Sequence, residues 1–296
     1  MGAQHSFVFR LLPYGEGLDS TFGVNGFCVI DFGDQSDFIT GLELLDDGKV
    51  MACVISQRTT APAFHGSYLV RLDNGHVDTS FGENGRGYVE ASDHPLRQLA
   101  VAPNGSYVLA GASEDLSKAV VRQYHADGSP DLAFGTDGQM PLPLAPGEAE
   151  IYQVKVQPDG KIVGVGAANV GFGWHTLTAR LNPDGSMDST FNNGEPKIMV
   201  FQGYETLNSS VDLMPDGRIV TGGYTTPTPN DVILMRMQAN GAMDMSFGTN
   251  GQVVSDLRGD ERCESVEIQP DGKILASGKR NRDVPYNSLF LARYLG

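Results

Sequence analysis

Apolar and polar residues alternate in short runs along the chain, and each run ends in turn chemistry. Val154-Lys155-Val156 alternates, Pro158-Asp159-Gly160-Lys161 reverses the chain, and 162–167 resumes as a second apolar run. Pro pre-sets φ and Asp-Gly closes the reversal, so this stretch predicts a β-hairpin. The segment 177–181 predicts a third strand, and stretches such as 27–32 and 252–257 a fourth. No window carries the 3.6-residue apolar period of an amphipathic helix.

The hairpin recurs as LELLDDGKVMACV, LAVAPNGSYVLAGA, VKVQPDGKIVGVGA, VDLMPDGRIVTGGY and VEIQPDGKILASGK. Between copies runs a second motif: YLVRLDNGHVDTSFGENG (68–85), AVVRQYHADGSPDLAFGTDG (119–138), LTARLNPDGSMDSTFNNG (177–194) and ILMRMQANGAMDMSFGTNG (233–251), with a looser copy at 7–26. Its arginine falls at Arg10, Arg71, Arg122, Arg180, Arg236 and Arg293, in steps of 51 to 61 residues. Four short strands per repeat without a helix is the pattern of propeller blades.

Five Asp-Gly or Asn-Gly hairpins predict an all-β, five-bladed β-propeller with four-stranded antiparallel blades, in one domain over 1–296. The units run approximately 27–85, 86–138, 139–194, 195–251 and 252–296, after an N-terminal closing segment 1–26. Innermost strands are expected at 38–45, 97–102, 151–156, 208–214 and 263–268. Outermost strands are expected near 27–32, 87–91, 139–143, 196–201 and 252–257. The fifth unit has no outer strand of its own. Strand 27–32 is therefore expected to complete it and close the ring, which removes an open edge. Segment 6–12 is then a surplus strand, able to add at an edge or to pair with a second copy as a homodimer.

These motifs resemble the delta-60 repeat family, whose repeat runs close to QPDGKIxxxG followed by RxNxDGxxDxxFGxxG. The copies are also similar to the blades of NHL-type propellers. The resemblance covers essentially the whole chain and implies a β-propeller, without implying an activity. The first copies depart from it, with Asp46-Asp47 in place of Pro-Asp and Tyr14-Gly15 in place of Asp-Gly, as terminal repeats do.

Charge narrows the partners. With 21 Lys+Arg against 36 Asp+Glu the net charge is −15, which opposes binding to a phosphate backbone, so no nucleic-acid partner is expected. No apolar run approaches the ~20 residues that span a bilayer, and Pro13 and Gly15 break the first apolar stretch before it forms a secretory signal pattern. Cys28, Cys53 and Cys263 form neither a CxxC pair nor an even framework, so reduced, buried thiols and a cytoplasmic location are expected. No HExxH, GxSxG, GxxxxGK[ST] or His/Cys ligand cluster occurs, so no cofactor and no metal ligand set is expected. A ring of loop carboxylates leaves only a divalent cation open.

The repeated residues read as architecture. Asp-Gly pairs are turns, the arginine and following aspartate (Arg180 and Asp188, Arg236 and Asp244) are a pair inside each blade, and the Phe of the FG motif is a plug between blades. Where the repeats diverge is the opposite face, around the channel mouth, and recognition is expected there. Binding candidates are Asp37, His65, Tyr152, Phe172, Trp174, His175, Arg262 and Tyr286. Trp174 is the only tryptophan and lies in the irregular stretch NVGFGWH, a stacking platform or an interblade plug.

The expected function is a binding module for a protein partner or a small polar ligand. The alternative is a small-molecule hydrolase, lyase or isomerase, with His94, Asp93, Tyr204 and Glu205 in acid–base roles and Arg97 and Arg262 holding an anion. Glu150 and Glu205 are a further carboxylate pair suited to glycoside hydrolysis. A third reading is an oligomerisation scaffold built on the surplus strand.

Overall fold

The structure is a computed structural model and describes residues 5–33, 35–58, 64–92, 94–113, 115–144, 147–171, 173–201, 205–226, 229–281 and 287–296. An N-terminal ribbon pairs β1 (Ser6–Phe9) with β2 (Phe27–Ile30). The first sheet holds β3 (Gln35–Leu44), β4 (Val50–Arg58), β5 (Phe64–Asp73), the short β6 (His76–Val77) and β7 (Tyr88–Ser92). The second runs β8 (Leu96–Val101), β9 (Tyr107–Ala112), β10 (Ala119–Tyr124), β11 (Gln139–Pro141). The third runs β12 (Ala149–Val156), β13 (Ile162–Asn169), β14 (Trp174–Leu181), β15 (Lys197–Met199). The fourth runs β16 (Glu205–Leu213), β17 (Ile219–Thr226), β18 (Val232–Met237), β19 (Gln252–Ser255), and the fifth has three strands, β20 (Asp260–Ile268), β21 (Ile274–Asn281) and β22 (Asn287–Tyr294). Every ladder is antiparallel.

Each sheet packs face to face on the next. Val8, Cys28 and Ile30 of the ribbon lie against Ala52, Val54 and Val70 of the first sheet. Similar clusters join the first sheet to the second, the second to the third, the third to the fourth and the fourth to the fifth. Phe22, Phe81, Phe134, Phe191 and Phe247 are buried in these layers, one per layer. Between sheets, strand alternation puts one row of side chains against each neighbour.

The expected closure is corrected. Strand 27–30 does not extend the fifth sheet; it pairs with 6–9, from Ser6↔Ile30 to Phe9↔Phe27. Among the described residues no strand pairs with the far edge of β22. The cause is visible in the sequence: 7–26 is itself a copy of the second motif, and its third and fourth strands stay together as they do in every other unit. The surplus strand 6–12 thereby finds its partner.

This leaves two apolar rows uncovered. Leu42 of β3 is 48% exposed, whereas Leu99, Val154, Val211 and Val266, its equivalents in the other sheets, are buried. Leu291 of β22 is 72% exposed, whereas its equivalents Leu69, Val120 and Leu234 are buried. On the ribbon's outward face Phe7, Phe9 and Phe27 form a ring cluster with centroids 5.7–6.2 Å apart.

Candidate functional site

The inner strands share a defect that builds the site. In all five sheets the innermost strand slips register by one residue against its neighbour, at Ile39/Gly41, Leu96/Gln98, Ile151/Gln153, Asn208/Ser210 and Cys263/Ser265. The extra residues are Thr40, Arg97, Tyr152, Ser209 and Glu264. A bulge leaves its residue out of the ladder and re-aims the side chain. Each of the five is partly or fully exposed beside a buried residue or a tight glycine.

Glycines on the second strand make room for the bulge. A Cβ on Gly111, Gly166, Gly223 or Gly278 would lie 2.1, 2.0, 1.8 and 1.9 Å from the carbonyl oxygens of Pro95, Glu150, Leu207 and Arg262. These are the final glycines of the repeated IxxxG-type segments, and in these four sheets the bulged strand leaves no space for a side chain there. The first sheet carries Val54 at this place and keeps its bulge.

Residues of four sheets form one cluster beside these bulges, on the side where the sequence predicts the mouth. Arg97 Nε lies 2.7 Å from Glu150 Oε1. Burial pushes the Glu150 carboxyl up, and Arg97 offsets part of that shift. Burial, then Glu150 and Tyr224, push the Tyr152 phenol up to about 12, so its hydroxyl remains a hydrogen-bond donor at neutral pH. The Arg262 guanidinium sits 5.0 Å from the Tyr224 ring centroid. The cluster therefore offers two cations, one carboxylate and two phenols over a partly desolvated floor. Tyr224 was not among the sequence candidates, because it stands in a second-strand segment, VTGGY, that reads as blade filling.

The other candidates separate into groups. Asp37 is 1% exposed and fully engaged, accepting from Ser56 Oγ at 2.6 Å and Phe32 N at 2.9 Å; it braces a loop and is withdrawn as a contact residue. His175 is buried in β14, opposite Ala168. Trp174 is half-buried at the start of β14, opposite Asn169. Its loop packs on Glu205: a Cβ on Gly173 would lie 2.4 Å from Glu205 Oε1, while Glu205 Oε2 accepts from Thr226 Oγ1 at 3.2 Å. His94 is held through its backbone, its N–H donating to Ser92 Oγ and its carbonyl accepting from Ser67 Oγ. Arg97 is drawn to Glu150 of the next sheet. Asp93, Phe172, Tyr204 and Tyr286 lie outside the described residues, and of His65 only the backbone, in β5, is described.

A separate cleft of about 770 Å³ opens between the first and second sheets, away from the mouth. Phe32 stacks on Tyr68 at 4.5 Å and meets Tyr88 edge-on at 5.0 Å on one wall. Arg122 also lines it. Its guanidinium donates to Gln139 Oε1 at 3.0 Å and the Ala91 carbonyl at 3.4 Å, and its Nε is buried with no hydrogen-bond partner among the described residues. The three thiols are buried, and burial pushes Cys53 and Cys263 up to about 12, which makes them inert.

A family profile described as a "Domain of unknown function (DUF5122) beta-propeller" matches residues 157–191 and 215–247. These segments run from the Asp-Gly hairpin of the third and fourth units to Phe191 and Phe247, so the chain carries β-propeller repeats. No curated protein matches the chain. Among solved structures, an unknown-function protein from Dyadobacter fermentans is similar at 16% identity and TM-score 0.58, over 87% of this chain and 76% of that one. A glucose dehydrogenase is similar at 12% identity and TM-score 0.55, over 100% and 97%. A puromycin hydrolase is similar at 14% identity and TM-score 0.51, over 95% and 42%. At these identities the likeness is one of fold. No helix among the described residues is long and apolar enough to cross a membrane.

Proposed function

We propose that this chain is a cytoplasmic, delta-60-type repeat propeller that binds a small polar ligand bearing a carboxylate, of the hexuronate class, at its channel mouth. The observation that carries this reading is the bulge: it lifts Arg97 and Tyr152 out of their ladders beside the Tyr224–Arg262 pair. Guanidinium groups recognise carboxylates through charge-assisted hydrogen bonds, and phenol faces stack on the apolar side of a sugar ring. Glu150, beside them, suits a ligand hydroxyl. A protein partner would instead call for a broad apolar patch at the mouth.

Acid–base chemistry at the same place is a second reading, favoured by the raised Glu150 carboxyl next to Tyr152. Thermal-shift titration with glucuronate, galacturonate and glucose tests the binding. Glucuronate or galacturonate is expected to raise Tm in the wild type and not in Arg262→Ala or Tyr224→Ala. Equal shifts in wild type and both variants, or no shift with either acid, would overturn the reading. Turnover of a bound acid would move the second reading ahead.

A further inference from the structure

The fourth and fifth sheets meet at a group of three carboxylates. Val232 of β18 pairs with Ser255 of β19. Asp231 and Asp256 stand one residue beyond that pair and so face each other across the ladder, where like charges repel. Glu261 comes from β20, its N–H bonded to the Asn230 carbonyl at 2.8 Å. Carboxylate oxygens of the three residues come within 4.8 Å of one another.

Glu261 is the unusual member. It is 0% exposed, its Oε2 accepts only a long bond from Leu257 N at 3.3 Å, and its Oε1 is buried with no hydrogen-bond partner among the described residues. A buried carboxylate oxygen without a donor is costly. Burial, then Asp256 and Asp231, push Glu261 up, and burial and Asp256 push Asp231 up. Arg280 pulls Glu261 the other way without cancelling that rise; its Nη1 donates to the Leu257 carbonyl at 3.3 Å. Aligning the repeats on Arg180 and Arg236 and on their bulges puts His175, Val200 and Thr206 at the equivalent places one interface earlier. His5, Asp31 and Asp37 hold the same places between the ribbon and the first sheet. There Asp37 accepts from Ser56 Oγ and Phe32 N, so of the two groups the one at the fourth and fifth sheets leaves its buried carboxylate oxygen without a donor among the described residues.

We propose that Asp231, Asp256 and Glu261 form a calcium site that ties the fourth sheet to the fifth. The donors are all hard oxygens, which suit calcium. At metal–oxygen distances of about 2.3–2.6 Å, oxygens on opposite sides of the ion stand roughly 5 Å apart. Three carboxylates, each able to bind through one or two oxygens, leave room for water in the remaining positions. The ion would supply the missing partner of Glu261 Oε1 and cancel the repulsion across the β18–β19 ladder.

The full chain, stripped with chelator and held at constant ionic strength, is titrated with calcium and with magnesium by calorimetry and thermal melting. One calcium per chain is expected, with a rise of several degrees in Tm that magnesium reproduces weakly. Asp256→Asn and Asp231→Asn are expected to lose calcium binding. In chelator each should melt at or above the wild type, because a like charge has gone. Absence of calcium binding up to millimolar concentration would overturn the proposal. So would binding that survives in both variants, or variants destabilised in chelator with their calcium response intact.

Discussion

Arg180 Nε lies 2.6 Å from Asp188 Oδ2, and the same guanidinium rests 5.1 Å from the centroid of Phe191. The arrangement repeats at Arg10 with Asp19 and Phe22, Arg71 with Asp78 and Phe81, and Arg236 with Asp244 and Phe247. Arg122 departs from it. Spacing is not the cause, since its nine steps to Asp131 equal those from Arg10 to Asp19, a pair that forms. Asp131 lies 4.0 Å from His125 Nε2 instead, and its Oδ1 accepts from the Ala133 N–H.

Removing one partner of a buried pair strands the other charge. Asp188→Ala is expected to cost about 3–5 kcal/mol in urea unfolding, and Asp131→Ala much less. Equal losses at the two positions would show that the pair is not what stabilises the unit.

Acid should undo the same pairs. Burial pushes Asp78 and Asp188 up, but hydrogen bonds from Lys49, Ser80 and Arg71, and from Thr190, Arg180 and Lys161, outweigh it and hold both carboxyls below the usual range. Asp244 is lowered chiefly by Ser246, against burial. Unfolded aspartate titrates near ~3.9. These groups therefore stabilise the fold fully above that pH, and the contribution fades as pH falls through their lower folded values. Melting temperatures between pH 2 and 7 should drop below about pH 4, with a shallower drop in Asp188→Asn. An unchanged slope in that variant would count against the assignment.

The bulge glycines offer a sharper test of the mouth. Gly166→Ala would press a methyl against the Glu150 carbonyl, so a loss of roughly 1–3 kcal/mol is expected, as for overpacking in a core. Ligand response at the mouth should fall with it, since Tyr152 is lifted by that bulge. Normal stability in the variant would mean that the glycine is not required.

The uncovered rows favour association. Phe7 and Phe9 on the ribbon and Leu289 and Leu291 on β22 are exposed, beside strand edges that have no partner among the described residues. Sedimentation velocity is expected to show concentration-dependent dimers of the chain, weakened in Phe7→Ser/Phe9→Ser. A monomer at all concentrations would contradict this.

Much of the architecture was legible because turns and alternation are local. Pro158-Asp159-Gly160 announces its hairpin, and innermost strands fall within three residues of their expected starts. The partner of 27–30 was legible but passed over, because 7–26 copies the second motif and its third and fourth strands stay together as in the other units. The bulges do mark their own strands: one inserted residue breaks the alternation, as in β12, where Tyr152 and Gln153 both stand partly exposed between buried Ile151 and Val154. A second mark lies on the neighbouring strand, in Gly111, Gly166, Gly223 and Gly278. Tyr224 joined the cluster through the same neighbouring strand, whereas Asp37, expected on the loop before the innermost strand, lies inside β3 and is held by Ser56 and Phe32.

Hydrogen–deuterium exchange with and without glucuronate tests the central claim most directly. The account predicts added protection in 96–98, 150–153, 222–225 and 261–264, the four stretches that form the mouth cluster. Protection confined to the cleft around Tyr68, Tyr88 and Arg122, or no protection at all, would contradict it.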